Sequence, residues 1–234
     1  MDAVPMTPGV ALLKRAATLS RPAPQRIFLL SPANASGARA QMILSDRAQF
    51  GMAVRLRSEG LPLGEIFSFI SGLYFRGKLA YARAFGATEG GDPQAFVITA
   101  GGGLIPPETL LTIEQLRGIS NVPIEANEMR YRAPLERDAR KLLRRVGTEC
   151  EVVLLGSVAT SKYVEPLLEI FGERLMFPAE FAGRGDMSRG GLMLRCARSG
   201  EQLTYVQVAT AMRHGPRPPK LPKLSRKSQT PEES

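Results

Sequence analysis

Apolar residues in this chain gather in short unbroken runs that alternate with stretches of helical spacing. Residues 26–31 (RIFLLS), 96–100 (FVITA) and 152–156 (VVLLG) are continuous apolar runs, the pattern of strands covered on both faces by helices. Further strands are predicted over 174–177, 192–197 and 203–208, the last two joined by Ser199-Gly200 as an antiparallel hairpin. Leu135, Ala139, Leu142, Leu143 and Val146 recur at helical spacing behind Pro134, so a helix with one buried stripe is expected there, Pro134 in its first turn. Its other face carries Arg137, Arg140, Lys141, Arg144 and Arg145. That face is either solvated and partly neutralised by Glu136 and Asp138, or a patch that tracks phosphates. Helices are also expected over 38–57, with Asp46 and Gln49 as an internal capping box, and over 63–70, 76–85, 112–119 and 165–171. Alternating strands and helices that end in a hairpin predict an α/β fold: a three-layer sandwich with a mostly parallel sheet.

With 234 residues and 44% hydrophobic content, the chain is long enough for one good core. A single domain over 26–210 is expected, between a flexible N-terminal extension (1–25) and a disordered tail (211–234) rich in Pro, Lys and Ser. No apolar stretch reaches the roughly 18 residues a membrane span requires. Lys14 and Arg15 follow an apolar patch, the reverse of a secretory signal's order, so a cytoplasmic location is expected.

The formal charge of +9 divides unevenly, with three basic residues against one acidic before Arg26 and six against two from Arg213 on, leaving +3 between. Basic tails of this kind serve solubility or weak polyanion contact, so any nucleic-acid contact is expected through the tail. Cys150 and Cys196 lack a CxxC or a neighbouring histidine, and the one histidine, His214, lies in the Pro-rich tail. The sequence therefore implies no metal and no organic cofactor. Catalysis would have to run on Asp, Glu, Lys, Tyr, Ser or Cys.

Ligands of open α/β sheets gather outside the carboxyl ends of the strands, and three apolar runs lead into small or polar residues. The first is followed by Ser31, Asn34 and Gly37, the second by Gly101 and Gly102, the third by Gly156, Ser157, Lys162 and Tyr163. Each can be a tight turn; together they suit an anion at helix N-termini. A fourth loop, FPAEFAGRGDMSRGG, holds Glu180 and Asp186 with Arg184, Ser188 and Arg189. Arginines flanking a carboxylate suit phosphate or carboxylate groups, or simply brace the loop by pairing with Asp186. In GLYFRGKLAYARAF, Tyr74 and Tyr81 either pack in the core or stack on a planar ligand with Arg76 or Lys78 at its charge.

The segments GLYFRGKLAYARAF, VITAGGGLIPPET, LLGSVATSKYVEPLLEIFG and FPAEFAGRGDMSRGGLMLRC together resemble an uncharacterised bacterial protein family. The strand and glycine cluster VITAGGGL is similar, more distantly, to Rossmann-like nucleotide-processing domains, including nucleoside deoxyribosyltransferases and lysine-decarboxylase-like phosphoribohydrolases. The chain departs from the latter in having no PGG segment. Loops and resemblance together give the expectation of an enzyme that binds, and hydrolyses or transfers at the glycosidic bond, a nucleotide, nucleoside or related anionic small molecule. Glu180 or Asp186 would be base or nucleophile, Arg184 and Arg189 would hold the anion, and Ser157, Lys162 and Tyr163 would orient the ligand. The alternatives are a non-catalytic protein that grips nucleic acid through the basic helix and tail, and a scaffold whose glycine-rich loop is an interface.

Overall fold

The computed structural model describes residues 25–35, 37–86, 93–159, 161–211, 215–216 and 218–221. The expected N-terminal extension up to residue 24, His214 and nearly all of the basic tail lie outside the described residues. In chain order the elements begin with β1 (Arg26–Leu30), α1 (Ala38–Leu44), α2 (Gly51–Ser58), β2 (Leu61–Pro62), α3 (Leu63–Ser71) and α4 (Leu73–Phe85). There follow β3 (Ala95–Thr99), β4 (Gly103–Ile105), β5 (Leu110–Leu111), α5 (Ile113–Ser120) and α6 (Met129–Arg145). The last are β6 (Glu151–Leu155), α7 (Ser161–Phe171), β7 (Leu175–Pro178), α8 (Asp186–Ser199) and β8 (Tyr205–Gln207).

The main sheet has the order β4-β3-β1-β6-β7-β8. Strands β3, β1, β6 and β7 run parallel, while β4 and β8 pair antiparallel to β3 and β7 at the two edges. The continuous apolar runs are the inner strands. Phe28, Leu29 and Leu30 of β1 and Val152 to Leu155 of β6 are completely buried, each such large side chain contributing about 1.5–3 kcal/mol. On one face Phe28 meets Tyr81 of α4 edge-on at 5.8 Å; on the other, Arg145 of α6 lies over Phe96. Helices therefore cover both faces, and the expected α/β layering is present.

Several elements differ from the sequence reading. Residues 192–197 are the second half of α8, not a strand, and Gly200 (φ +75) closes that helix by donating its N–H to Cys196 O. The C-terminal antiparallel pair is formed by β7 and β8. The reason is tight packing of α8 along α4: a Cβ at Gly77 would lie 2.6 Å from Gly190 O, and one at Gly190 would lie 2.7 Å from Leu73 O. A helix held through glycine backbone needs few large apolar residues, and in α8 only Gly190 and Met193 are fully buried. The single helix expected over 38–57 is two, broken where Ser45 turns extended. Asp46 is no internal cap; it pairs with Arg117 of α5, and Arg57 holds the carbonyls of Ser45 and Ala48.

The glycine cluster after β3 is also not a strand-to-helix loop. Ala100, Gly101 and Gly102 form the hairpin turn into β4, with Gly102 N–H donating to Thr99 Oγ1. Gly103 adopts φ +72, and its missing side chain leaves room for Pro134 O and the Asp138 carboxylate of α6. Pro134 sits inside α6, which begins five residues earlier than its position.

Candidate functional site

The chain leaves β1 for β3 on one side and returns past it to β6 on the other, so the order reverses between β1 and β6. Such a switch point parts the outgoing loops and opens a crevice at the carboxyl ends. A cleft of about 630 Å³ lies there. Ser31 and Asn34 enter it from β1, Ala100 from β3, Ser157 from β6, and Asp186 from the turn after β7. Tyr74 of α4, Ser120 and Asn121 at the end of α5, and Lys162 and Tyr163 of α7 complete the walls. Gly156 permits the closeness of the two central strands, since a Cβ there would lie 2.8 Å from Ser31 Cβ.

Beneath the cleft Lys78, only 1% exposed, donates from Nζ to Ser31 O and Ser31 Oγ, both at 2.8 Å. Its Nζ also lies 4.1 Å from the centre of the Tyr74 ring, a favourable position for a cation. Among the described residues it has no carboxylate within 4.0 Å. Burial pushes its amine down to about 7, the Asp186 carboxylate countering and the Arg189 guanidinium reinforcing that effect. The Tyr74 hydroxyl is pushed well up, chiefly by burial. Among the described residues Ser120 Oγ is buried without a hydrogen bond, the buried Tyr74 hydroxyl has the Arg189 side chain as its neighbouring donor, and both residues line the cleft. Tyr163 Oη, by contrast, accepts from Ser157 N–H, and Ser157 Oγ accepts from Ala159 N–H.

Of the residues singled out in the sequence, Ser31, Asn34, Tyr74, Ser157, Lys162, Tyr163 and Asp186 meet in this cleft, with Lys78 and Gly156 supporting it. The others lie elsewhere. Arg184 donates to Glu180 O and Ser188 Oγ, and Arg189 donates twice to Phe181 O. These arginines hold the short helical turn after β7, where Phe181 O also accepts from Arg184 N–H. Arg189 also sits 3.8 Å from Asp186, the bracing pair the sequence allowed. Glu180 takes Thr204 N–H on Oε1 and fixes the approach to β8. Arg76 is exposed in a shallow groove with Glu65 and Phe69, Gly37 precedes α1, and Gly101 and Gly102 are in the hairpin turn.

A second cleft, about 740 Å³, lies against the first turns of α8 and is walled by Arg184, Ser188, Arg195 and residues 218–221. It is larger, but no parallel strand end opens into it. The basic face of α6 is largely paired, Arg132 and Arg140 with Glu136, and Arg137 and Lys141 with Asp138. Ser120 and Asn121 were the wall residues least legible in the sequence; the polar step ahead of Pro123 was their one signal. Among the described residues no group of His, Cys, Asp and Glu gathers to hold a metal, and no helix is long and apolar enough to cross a membrane. No family model, curated protein or solved structure matches the chain.

Proposed function

We propose that the protein binds a small phosphorylated ligand of nucleotide or nucleoside type in the cleft between β1 and β6. The observation that carries this reading is the buried Ser120 hydroxyl on the cleft wall, which has no hydrogen-bond partner among the described residues. A buried polar group with no hydrogen bond costs about 1–3 kcal/mol, a cost that a ligand with hydroxyl or amide groups removes. Volume supports the same reading, since small-molecule sites span about 300–1,000 Å³. Lys162, in the first turn of α7, supplies positive charge at the cleft wall. In a hydrolase or transferase acting on such a ligand, Asp186 is the carboxylate in place; Glu180, tied to Thr204, is a positioning residue for β8.

Thermal melting with adenosine monophosphate, ribose 5-phosphate, adenosine and inorganic phosphate tests the proposal. A ligand at about 100 times its Kd adds about 2.7 kcal/mol of stability. Lys162→Ala is expected to reduce the shift from the phosphorylated compounds and to leave that from adenosine. Glu180→Gln is expected to leave every ligand shift unchanged. Absence of any shift, or shifts indifferent to Lys162→Ala, would contradict the proposal.

A further inference from the structure

Ser31 and Lys78 stand in a relation that ligand binding does not require. Lys78 Nζ is 2.8 Å from Ser31 Oγ and 2.8 Å from Ser31 O, and Ser31 is a wall residue of the cleft. A neutral amine has one lone pair and two N–H groups. In that form it accepts from the Ser31 hydroxyl, to which the ammonium donates, and still donates to the Ser31 carbonyl. A buried ammonium with no counter-ion carries a desolvation penalty of several kcal/mol; the neutral form escapes it. The Tyr74 and Phe75 rings, with centres 4.1 and 5.3 Å from Nζ, attract the cation and offset part of that penalty, while they also keep water from the amine. Facing groups are few: the Asp186 carboxylate and the Arg189 guanidinium from α8 and the Tyr74 hydroxyl from α4 itself.

We propose that Ser31 is a nucleophile and Lys78 its general base, forming a serine–lysine pair for acyl transfer on the floor of the cleft. The substrate class is an ester, thioester or amide small enough for the cleft. Ser31 Oγ attacks the carbonyl carbon, a C–O bond forms, and the hydroxyl proton passes to Nζ. Collapse of the tetrahedral intermediate breaks the bond to the leaving alcohol, thiol or amine, which takes that proton from the ammonium. Water repeats the sequence on the acyl-serine, releasing the carboxylic acid and restoring the Ser31 hydroxyl. Lys162 and the Asn34 amide, on the wall of the same cleft, are the N–H donors for the developing oxyanion. This activity goes beyond the ligand reading and stands apart from it.

The test is an alkyl fluorophosphonate added to the full chain, followed by intact mass and peptide mapping. Fluoride leaves as a Ser–O–P bond forms. A single adduct on Ser31 is expected, with a rate that rises with pH and levels off above an inflection near 7. Ser31→Ala abolishes the adduct, and Lys78→Met slows it about 100-fold or more, the usual range for loss of a general base. The pH profile of the unaltered protein decides the matter even where Lys78→Met misfolds. No adduct at Ser31, or a labelling rate with no inflection between pH 6 and 9, overturns the proposal. Nucleotide-dependent melting shifts that persist in Ser31→Ala would leave the ligand reading standing on its own.

Discussion

Replacing Gly190 with alanine is expected to destabilise the protein by about 2–3 kcal/mol, the range of overpacking in a tight interior contact. The added Cβ would lie 2.7 Å from Leu73 O and 2.8 Å from Tyr74 Cα. Both partners are backbone, so no side chain can rotate away and the two helices must separate. Separation of α4 from α8 carries consequences for the cleft, because Tyr74 and Lys78 ride on α4 and Asp186 opens α8. The variant should therefore also lose any ligand-dependent melting shift at subsaturating ligand. Gly191→Ala is the control, since among the described residues a Cβ there meets only Leu221 Cδ1 at 3.7 Å and alanine is the better helix former by about 1 kcal/mol. Equal melting temperatures for the two variants would show that the helices are not locked at Gly190.

The second large effect is a pH dependence of stability set by Lys78. Its amine titrates near 7 when folded and at its ordinary 10.5 when exposed. Between those values the unfolded chain holds a proton that the folded chain lacks, so unfolding stability rises with pH, by up to about 1.4 kcal/mol per pH unit. Below about 7 both states are protonated, and the full penalty for burying the charge is present. Burial raises the thiols of Cys150 and Cys196. Those groups act in the opposite sense once pH climbs past the ordinary thiol value of 9.0. The clean window is therefore about pH 7 to 8.5. Urea denaturation of the wild type is expected to climb across it, whereas Lys78→Met should be nearly flat and more stable than wild type at pH 6. A flat wild-type profile would place the Lys78 ammonium in a better solvated setting than the structure gives it.

The four parallel strands were legible because strands buried on both faces have no polar positions to interrupt them, as RIFLL and EVVLL illustrate. The rim loops were legible for the same reason, since a run ends where small polar residues begin. What escaped was whatever depended on backbone meeting backbone. Helix α8 reads as a strand in LMLRCA because glycine contact, not a stripe of large side chains, holds it to α4. The glycines of VITAGGGL suggest a phosphate loop, yet Gly103 is there to admit Pro134 and Asp138 of α6. Arg184 and Arg189 have the right chemistry for an anion, but the carbonyls of Glu180 and Phe181, exposed by a short helical turn, claim them first. Lys78 reads in FRGKLAY as a charge for a planar ligand; only the position of α4 over the end of β1 brings it under Ser31. Charged residues in sequence announce their chemistry but not their partners.

The central claim, that the crevice at the carboxyl ends of β1 and β6 is where a small phosphorylated molecule binds, is tested most directly by amide chemical shifts during titration with adenosine monophosphate. Saturable shifts are expected at Ser31, Asn34, Ser120, Ser157 and Tyr163, with little change along the exposed face of α6 or in the groove beside Arg76. Shifts confined to the arginines of α6, or spread weakly over the surface without saturation, would contradict it.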